Sequence, residues 1–178
     1  MSLLTFTLLI LALGVLMLLL AVVVYFLVSA ITTVPWVRTK PKMTRSMLQL
    51  ARFSPGDRVL DLGCGDGSIV LEAVAMGGEG IGVERLVLLV WYARFRAWQK
   101  GFGSRAKFYQ GDLFATPIPK AEIVVCYLFP EVNERLEPRL REALSPGTRV
   151  VSRDFEFPTL RWVESQSCKR SVIHVYEI

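Results

Sequence analysis

Val59-Leu60-Asp61-Leu62-Gly63-Cys64-Gly65-Asp66-Gly67-Ser68 is the stretch on which the reading of this chain turns. An apolar strand pattern runs into a glycine turn that opens a helix. Glycine lets the backbone turn tightly and leaves it bare toward a ligand at the carboxyl end of a parallel sheet. Dinucleotide sites space their glycines as G-x-G-x-x-G and set a pyrophosphate on the helix amino terminus. Here the glycines fall at Gly63, Gly65 and Gly67, a carboxylate, Asp61, ends the strand, and a second, Asp66, lies inside the turn. Two carboxylates repel a pyrophosphate and suit a ligand that carries an ammonium group.

Outward from the turn, strand and helix patterns alternate. Residues 58–62 read as a buried strand, 68–76 as a helix, 80–84 as a second strand and 86–100 as a long helix ended by Gly101. Residues 106–110 form a third strand, 122–129 a fourth, 131–144 a helix with a break expected before Pro138, and 148–153 a fifth strand. Such alternation implies right-handed crossovers and a doubly wound parallel α/β sheet. Residues 162–166 and 171–178 have no helix between them and are expected to form an antiparallel hairpin on one sheet edge. Ahead of the turn, Pro41 opens a helix with Met43, Met47, Leu50 and Ala51 at helical spacing, and Ser54-Pro55-Gly56-Asp57 is a turn.

Two further acids fall at strand ends. Glu84 closes the second strand, where a carboxylate can accept both hydroxyl protons of a ribose. Asp112 follows the third strand in Gln110-Gly111-Asp112-Leu113-Phe114. The glycine stretch resembles the first motif, D-x-G-x-G-x-G, of the class I S-adenosylmethionine-dependent methyltransferases, whose cofactor carries an amino-acid end and a sulfonium. That resemblance implies a Rossmann-like methyltransferase fold. It also implies a cofactor held by Asp61, Gly63, Cys64, Gly65 and Gly67, with Glu84 on the ribose, Asp112 on the adenine amino group and Leu113 over the ring. Asp112 as a simple turn cap is the alternative.

Over most of its length the chain resembles a narrower family, the membrane-anchored lysine methyltransferases related to the mitochondrial enzymes that modify adenine nucleotide translocase and the c-ring protein of ATP synthase. The likeness runs through Val34-Pro35, Met47-Leu48-Gln49-Leu50-Ala51, Gly67-Ser68-Ile69-Val70, Gly82-Val83-Glu84 and Tyr127-Leu128-Phe129-Pro130, and continues from Pro146 to Arg153, through Phe155-Glu156-Phe157-Pro158, to Val175-Tyr176-Glu177-Ile178. It departs at Cys64, where the family shows serine, and at Arg85-Leu86. The resemblance implies methyl transfer to a lysine of a protein in or at a membrane. In such chemistry alignment does most of the work, and an apolar pocket favours the neutral amine. Tyr127, at the end of the fourth strand, is a candidate to hold the target amine by its ring and hydroxyl. Asp154, after the fifth strand, is a candidate to orient it, with Phe155 and Phe157 as walls.

The amino terminus is of another kind. Residues 1–37 carry no charge, and 8–28 are an unbroken apolar run, enough to cross a bilayer core that needs about 20 residues. Arg38, Lys40, Lys42, Arg45 and Arg52 follow without an acid, leaving 16 basic residues to match the 16 acidic ones in the rest of the chain. The net charge of +5 therefore sits beside the apolar run, which argues for a membrane anchor with a basic collar and against a nucleic-acid protein. By the positive-inside rule the following domain lies on the cytoplasmic side or the equivalent face of an organelle. A cleaved signal peptide is the alternative, but no basic residue precedes the run, which exceeds the usual ~7–15 residues. The organisation expected is an anchor over 1–34, a basic segment and first helix over 35–52, and a cofactor-binding domain over 53–178. Cys64, Cys126 and Cys168 have no metal-ligand spacing and read as reduced residues, and no metal is expected.

The remaining features carry plain structural expectations. Trp91, Tyr92, Phe95 and Trp98 recur at helical spacing and read as core packing, with Arg94, Arg96 and Lys100 as that helix's solvated face. His174 reads as structural and Trp36 as an interfacial residue. Two other functions use the same cofactor site: methylation of a lipid head group or small membrane compound, and a tethered cofactor-binding module without turnover.

Overall fold

The computed structural model describes residues 3–31 and 37–178, and the chain divides into a unit ending at Trp36 and a compact unit from Val37 to Ile178. The first contains α1, Leu3–Ile31, without a charged residue in its first or last turn. Within it Leu4–Tyr25 has mean hydropathy 3.1 and is not buried, so by length and composition this helix could cross a membrane. Val34, Pro35 and Trp36 lie outside the described residues.

The second unit runs α2 (Pro41–Leu50), β1 (Arg58–Leu62), α3 (Ser68–Ala75), β2 (Glu79–Glu84), α4 (Val87–Gln99), β3 (Ala106–Gln110), β4 (Ile123–Cys126), α5 (Pro130–Ala143), β5 (Arg149–Arg153), β6 (Arg161–Cys168) and β7 (Ser171–Glu177). Its seven strands form one sheet in the order β3-β2-β1-β4-β5-β7-β6. The first five are parallel, and β7 returns antiparallel between β5 and β6 as the expected terminal hairpin. This is a class I methyltransferase fold.

Alternation along the strands separates two cores. Val59, Ile123, Val125, Val151, Ile173 and Val175 share one cluster with Met47 and Leu48 of α2 and with Ile69 and Ala73 of α3. Each fully buried Met or Leu contributes about 1.5–3 kcal/mol, so α2 is a structural part of this unit. The other cluster joins Val70 and Val74 of α3 to Val90, Ala93 and Ala97 of α4 and Phe108 of β3.

Four expectations change. The fourth strand stops at Cys126 and not at Phe129, because its last rungs, to Leu62 and Ser152, are reached where β1 enters the glycine turn. Helix α5 runs through Pro138 unbroken. The missing N–H removes a single helical bond, while Val132, Asn133 and Leu136 before it and Leu140 after it are buried, so both halves of the helix are anchored. The aromatic residues of α4 are not core: Trp91, Tyr92, Phe95 and Trp98 are exposed, because the helix packs through Val90, Ala93 and Ala97. Arg96 is not solvated either, since its guanidinium is turned onto Asp66.

Candidate functional site

The carboxyl ends of β1, β2, β4 and β5 come level, with Leu62 opposite both Val83 and Cys126, and Cys126 opposite Ser152. Strand order reverses between β1 and β4, and at such a switch point open parallel sheets bind their ligands. The glycine turn rises there. Gly63 and Gly67 adopt φ of +83° and +75°, which L side chains rarely take. A Cβ at Gly67 would also stand 2.6 Å from Phe108 Cε1 and 3.0 Å from Ala93 Cβ, so this glycine lets α3, α4 and β3 close together.

The turn's amides are already engaged. The N–H groups of Gly63 and Cys64 donate to the Val83 carbonyl at 2.9 and 3.1 Å, and that of Gly67 to the Cys64 carbonyl at 2.8 Å. Gly65 donates to Glu84 Oε2 at 2.9 Å and Ser68 to Asp66 Oδ1 at 3.2 Å. A phosphate site needs those donors free, so the turn is poorly made for an anion and offers instead bare backbone and acids. Cys64 turns its side chain inward, where its Sγ would lie 2.6 Å from a Cβ at Gly82. Burial, followed by the charges of Asp61 and Glu84, pushes the thiol well up.

The acids divide by role. Asp61 is buried, and no hydrogen bond or ion pair among the described residues reaches its carboxylate. Burial first, then the charges of Glu84 and Asp66, push its carboxyl up to about 8. A cationic ligand group would relieve that state, which makes the donor set fit a ligand with an ammonium end. Glu84 braces the turn: besides Gly65 it accepts the Leu86 N–H on Oε1 at 2.9 Å, leaving each oxygen one further lone pair. Asp66 is paired within the protein, whereas the sequence offered two acids for a ligand's ammonium group. It is buried, with Oδ2 2.5 Å from Arg96 Nη1 and 3.2 Å from Arg38 Nε. Asp112 is exposed and caps its own turn, its Oδ1 accepting the Phe114 N–H at 2.8 Å. Leu113 is half-buried beside it, its carbonyl taken by Arg139.

A second cluster closes the β4 and β5 ends. The Tyr127 ring stacks on Phe155 with centroids 6.3 Å apart, and Phe129 meets Phe155 edge-on at 5.6 Å. The Arg153 guanidinium lies 4.3 Å from the centre of the Tyr127 ring. Asp154, at φ +65°, is tied down by the Val172 N–H on Oδ1 at 2.9 Å, the Ser171 hydroxyl on Oδ2 at 3.3 Å and Arg153 Nε at 3.3 Å. Phe157 is buried edge-on against Tyr176. Asn133 of α5 donates to the Phe155 and Glu156 carbonyls, each at 3.3 Å, and so sets the loop that carries Phe155. Sequence spacing does not single out Arg153, Arg96 or Asn133, because each works through a contact across the chain. Among the described residues no group of His, Cys, Asp and Glu could hold a metal.

Residues 61–164 match the model of the ANTKMT methyltransferase domain. A protein-lysine N-methyltransferase of Saccharolobus islandicus is 39% identical over 130 residues, 72% of this chain and 81% of that protein. The mouse lysine N-methyltransferase of the ATP synthase c-subunit is 33% identical over 165 residues, 92% of this chain but 66% of that protein, so this chain spans only part of the longer relative. Among solved structures, an RNA methyltransferase from Salinibacter ruber in complex with S-adenosyl-L-homocysteine superposes with a TM-score of 0.77 at 38% identity, over 80% of this chain and 94% of that one. Matched from β1 into β6 by sequence and across the sheet by fold, the chain belongs to the ANTKMT methyltransferase domain family of S-adenosylmethionine-dependent methyltransferases.

Proposed function

We propose that the chain methylates a lysine side chain of a membrane-associated protein, from a domain tethered by α1. When bound, S-adenosylmethionine supplies an electrophilic methyl group on its sulfonium. In this reading Asp61 takes the cofactor's ammonium group, the backbone at Gly63, Cys64 and Gly65 lies along its amino-acid end, and Gly67 holds the turn against α4. Glu84 accepts from the ribose hydroxyls with its free lone pairs, while Asp112 and Leu113 meet the adenine. The buried Asp61 carboxylate, without a partner among the described residues, is the observation that carries the cofactor placement.

Tyr127 and its neighbours suit the acceptor. A lysine amine with a pKa of about 10.4 must lose its proton before its lone pair can form the new N–C bond. The Arg153 guanidinium against Tyr127 disfavours a second cation, so it favours the neutral amine, and the rings of Tyr127 and Phe155 keep the approach apolar. The Tyr127 hydroxyl orients the amine. Asp154, held by Val172, Ser171 and Arg153, acts on the amine by keeping Arg153 in place. The basic residues after α1 put the domain on the cytoplasmic or equivalent organelle face. Two of them also brace the fold, Arg38 on Asp66 and Arg45 on Glu72.

Incubating the full-length protein and membranes with methyl-labelled S-adenosylmethionine tests the reading. Label should enter a protein band whose hydrolysate contains methyllysine. Label confined to the lipid extract would point to a lipid acceptor. Absence of S-adenosylhomocysteine over every membrane extract would point to a binding module.

A further inference from the structure

Helix α4 leaves an apolar face uncovered. Leu88, Trp91, Tyr92, Phe95 and Trp98 recur at helical spacing and are 69, 63, 49, 49 and 75% exposed. A contiguous apolar surface of this kind marks an interaction site. Its composition selects the partner. Between Arg85 and Gly111 the chain has six basic residues and no acidic one. Arg96 is neutralised by Asp66 and Arg94 is turned onto the Phe108 carbonyl, but Arg85, Lys100, Arg105 and Lys107 of the same stretch are exposed. Amphipathic rings of Trp and Tyr, on a helix within a stretch that carries bases and no acid, match a bilayer interface with anionic head groups. We propose that α4 is an interfacial docking helix that seats the methyltransferase domain on an anionic membrane surface. The inference rests on α1 being a span, which holds the domain at a bilayer, and it is indifferent to the acceptor.

The full chain tests it through its four tryptophans. Trp36→Phe/Trp162→Phe keeps only the α4 indoles, and Trp36→Phe/Trp91→Phe/Trp98→Phe keeps only Trp162, which is 61% exposed on β6. Both are reconstituted in vesicles whose lipids are brominated near the head groups. With phosphatidylglycerol present, the α4 indoles should lose roughly half of their emission, as expected for rings buried ~5–10 Å into the interface. The loss should shrink in pure phosphatidylcholine or high salt. Trp162 should be unaffected. Equal quenching of both sets, or none in the α4 set, overturns the proposal. Cross-linking that traps α4 on a second copy or on a protein partner also overturns it and names the occupant. Flotation of the protein with the vesicles reports on the span alone, so its failure is distinguishable from failure of the face. In the unsubstituted protein a diazirine-bearing phospholipid should label residues 87–99 and spare 161–168; labelling of both or neither again overturns the proposal.

Discussion

At the β1 end of the switch point the proposed cofactor groups lie within residues 61–68 or one strand away at Glu84, in a turn whose own amides donate at 2.8 to 3.2 Å. At the β4 end, Tyr127, Arg153, Phe155 and Asn133 come from three separate elements and meet through ring contacts and long-range hydrogen bonds. The first end is dictated by local backbone geometry and built into the core. The second is an assembly of side chains whose closure depends on β5, α5 and the β7 turn arriving correctly. Errors at the first should therefore unfold or empty the cofactor site, and errors at the second should slow transfer while cofactor binding persists.

The largest effect should come from Gly67→Ala. A positive φ for alanine costs ~1–2 kcal/mol and a Cβ pressed on Phe108 another ~1–3, so thermal melting should show a total loss of about 2–5 kcal/mol. A variant that melts like the parent would mean the turn is not the structural keystone of its half. At the other end, Tyr127→Phe keeps the ring stacked on Phe155 and removes only the hydroxyl. Methyl transfer should fall by about a hundredfold with cofactor affinity and melting temperature nearly unchanged. Stability and rate falling together would instead make Tyr127 a core residue.

Asp61 sharpens the comparison through pH. Its folded-state carboxyl is raised from 3.8 to about 8, so near neutrality the folded domain holds a proton that the unfolded chain has released. Cofactor-free stability should therefore fall as pH rises through that window. Binding a cation must expel the proton, so affinity should tighten by about tenfold per pH unit below 8 and level off above it. Calorimetry at several pH values measures this, and Asp61→Asn should weaken binding and flatten the profile. Glu84→Ala and Asp112→Ala should each weaken cofactor affinity by about 1–3 kcal/mol, with Glu84 at the upper end because it is half-buried and Asp112 at the lower because it faces water. Unchanged affinity in both would mean the cofactor lies elsewhere. The smallest effect should be that of Asn133→Ala. It frees the Phe155 and Glu156 carbonyls but also removes the buried, unpartnered Oδ1, so denaturant unfolding should show a loss of about 1 kcal/mol while the transfer rate drops more than cofactor affinity.

The chain by itself determined the order and kind of elements from β1 to β7, the glycine turn and the acids at strand ends. These follow from apolar periodicity and from glycines whose backbone conformation few other residues can adopt, both local properties. It also determined α1 as a helix long and apolar enough to cross a membrane, since length and composition decide that. Only the tertiary structure decided which of these acids are paired within the protein. Asp61 at the strand end and Asp66 in the turn look alike as acids, yet Asp66 is neutralised by Arg96 from α4 and Arg38 from ahead of α2, while no described residue pairs with Asp61. Spacing placed the α4 aromatics in a core, but Val90, Ala93 and Ala97 leave room on that side only for close packing, and the rings were left outside. Pro138 reads as a break until the burial on both sides of it is known, and Asp154 reads as a candidate to touch the target amine until Val172 and Ser171 arrive to bind it. In each case the deciding partner is distant in sequence, and the free energy that selects it is burial and charge pairing in the closed fold, which no local pattern records.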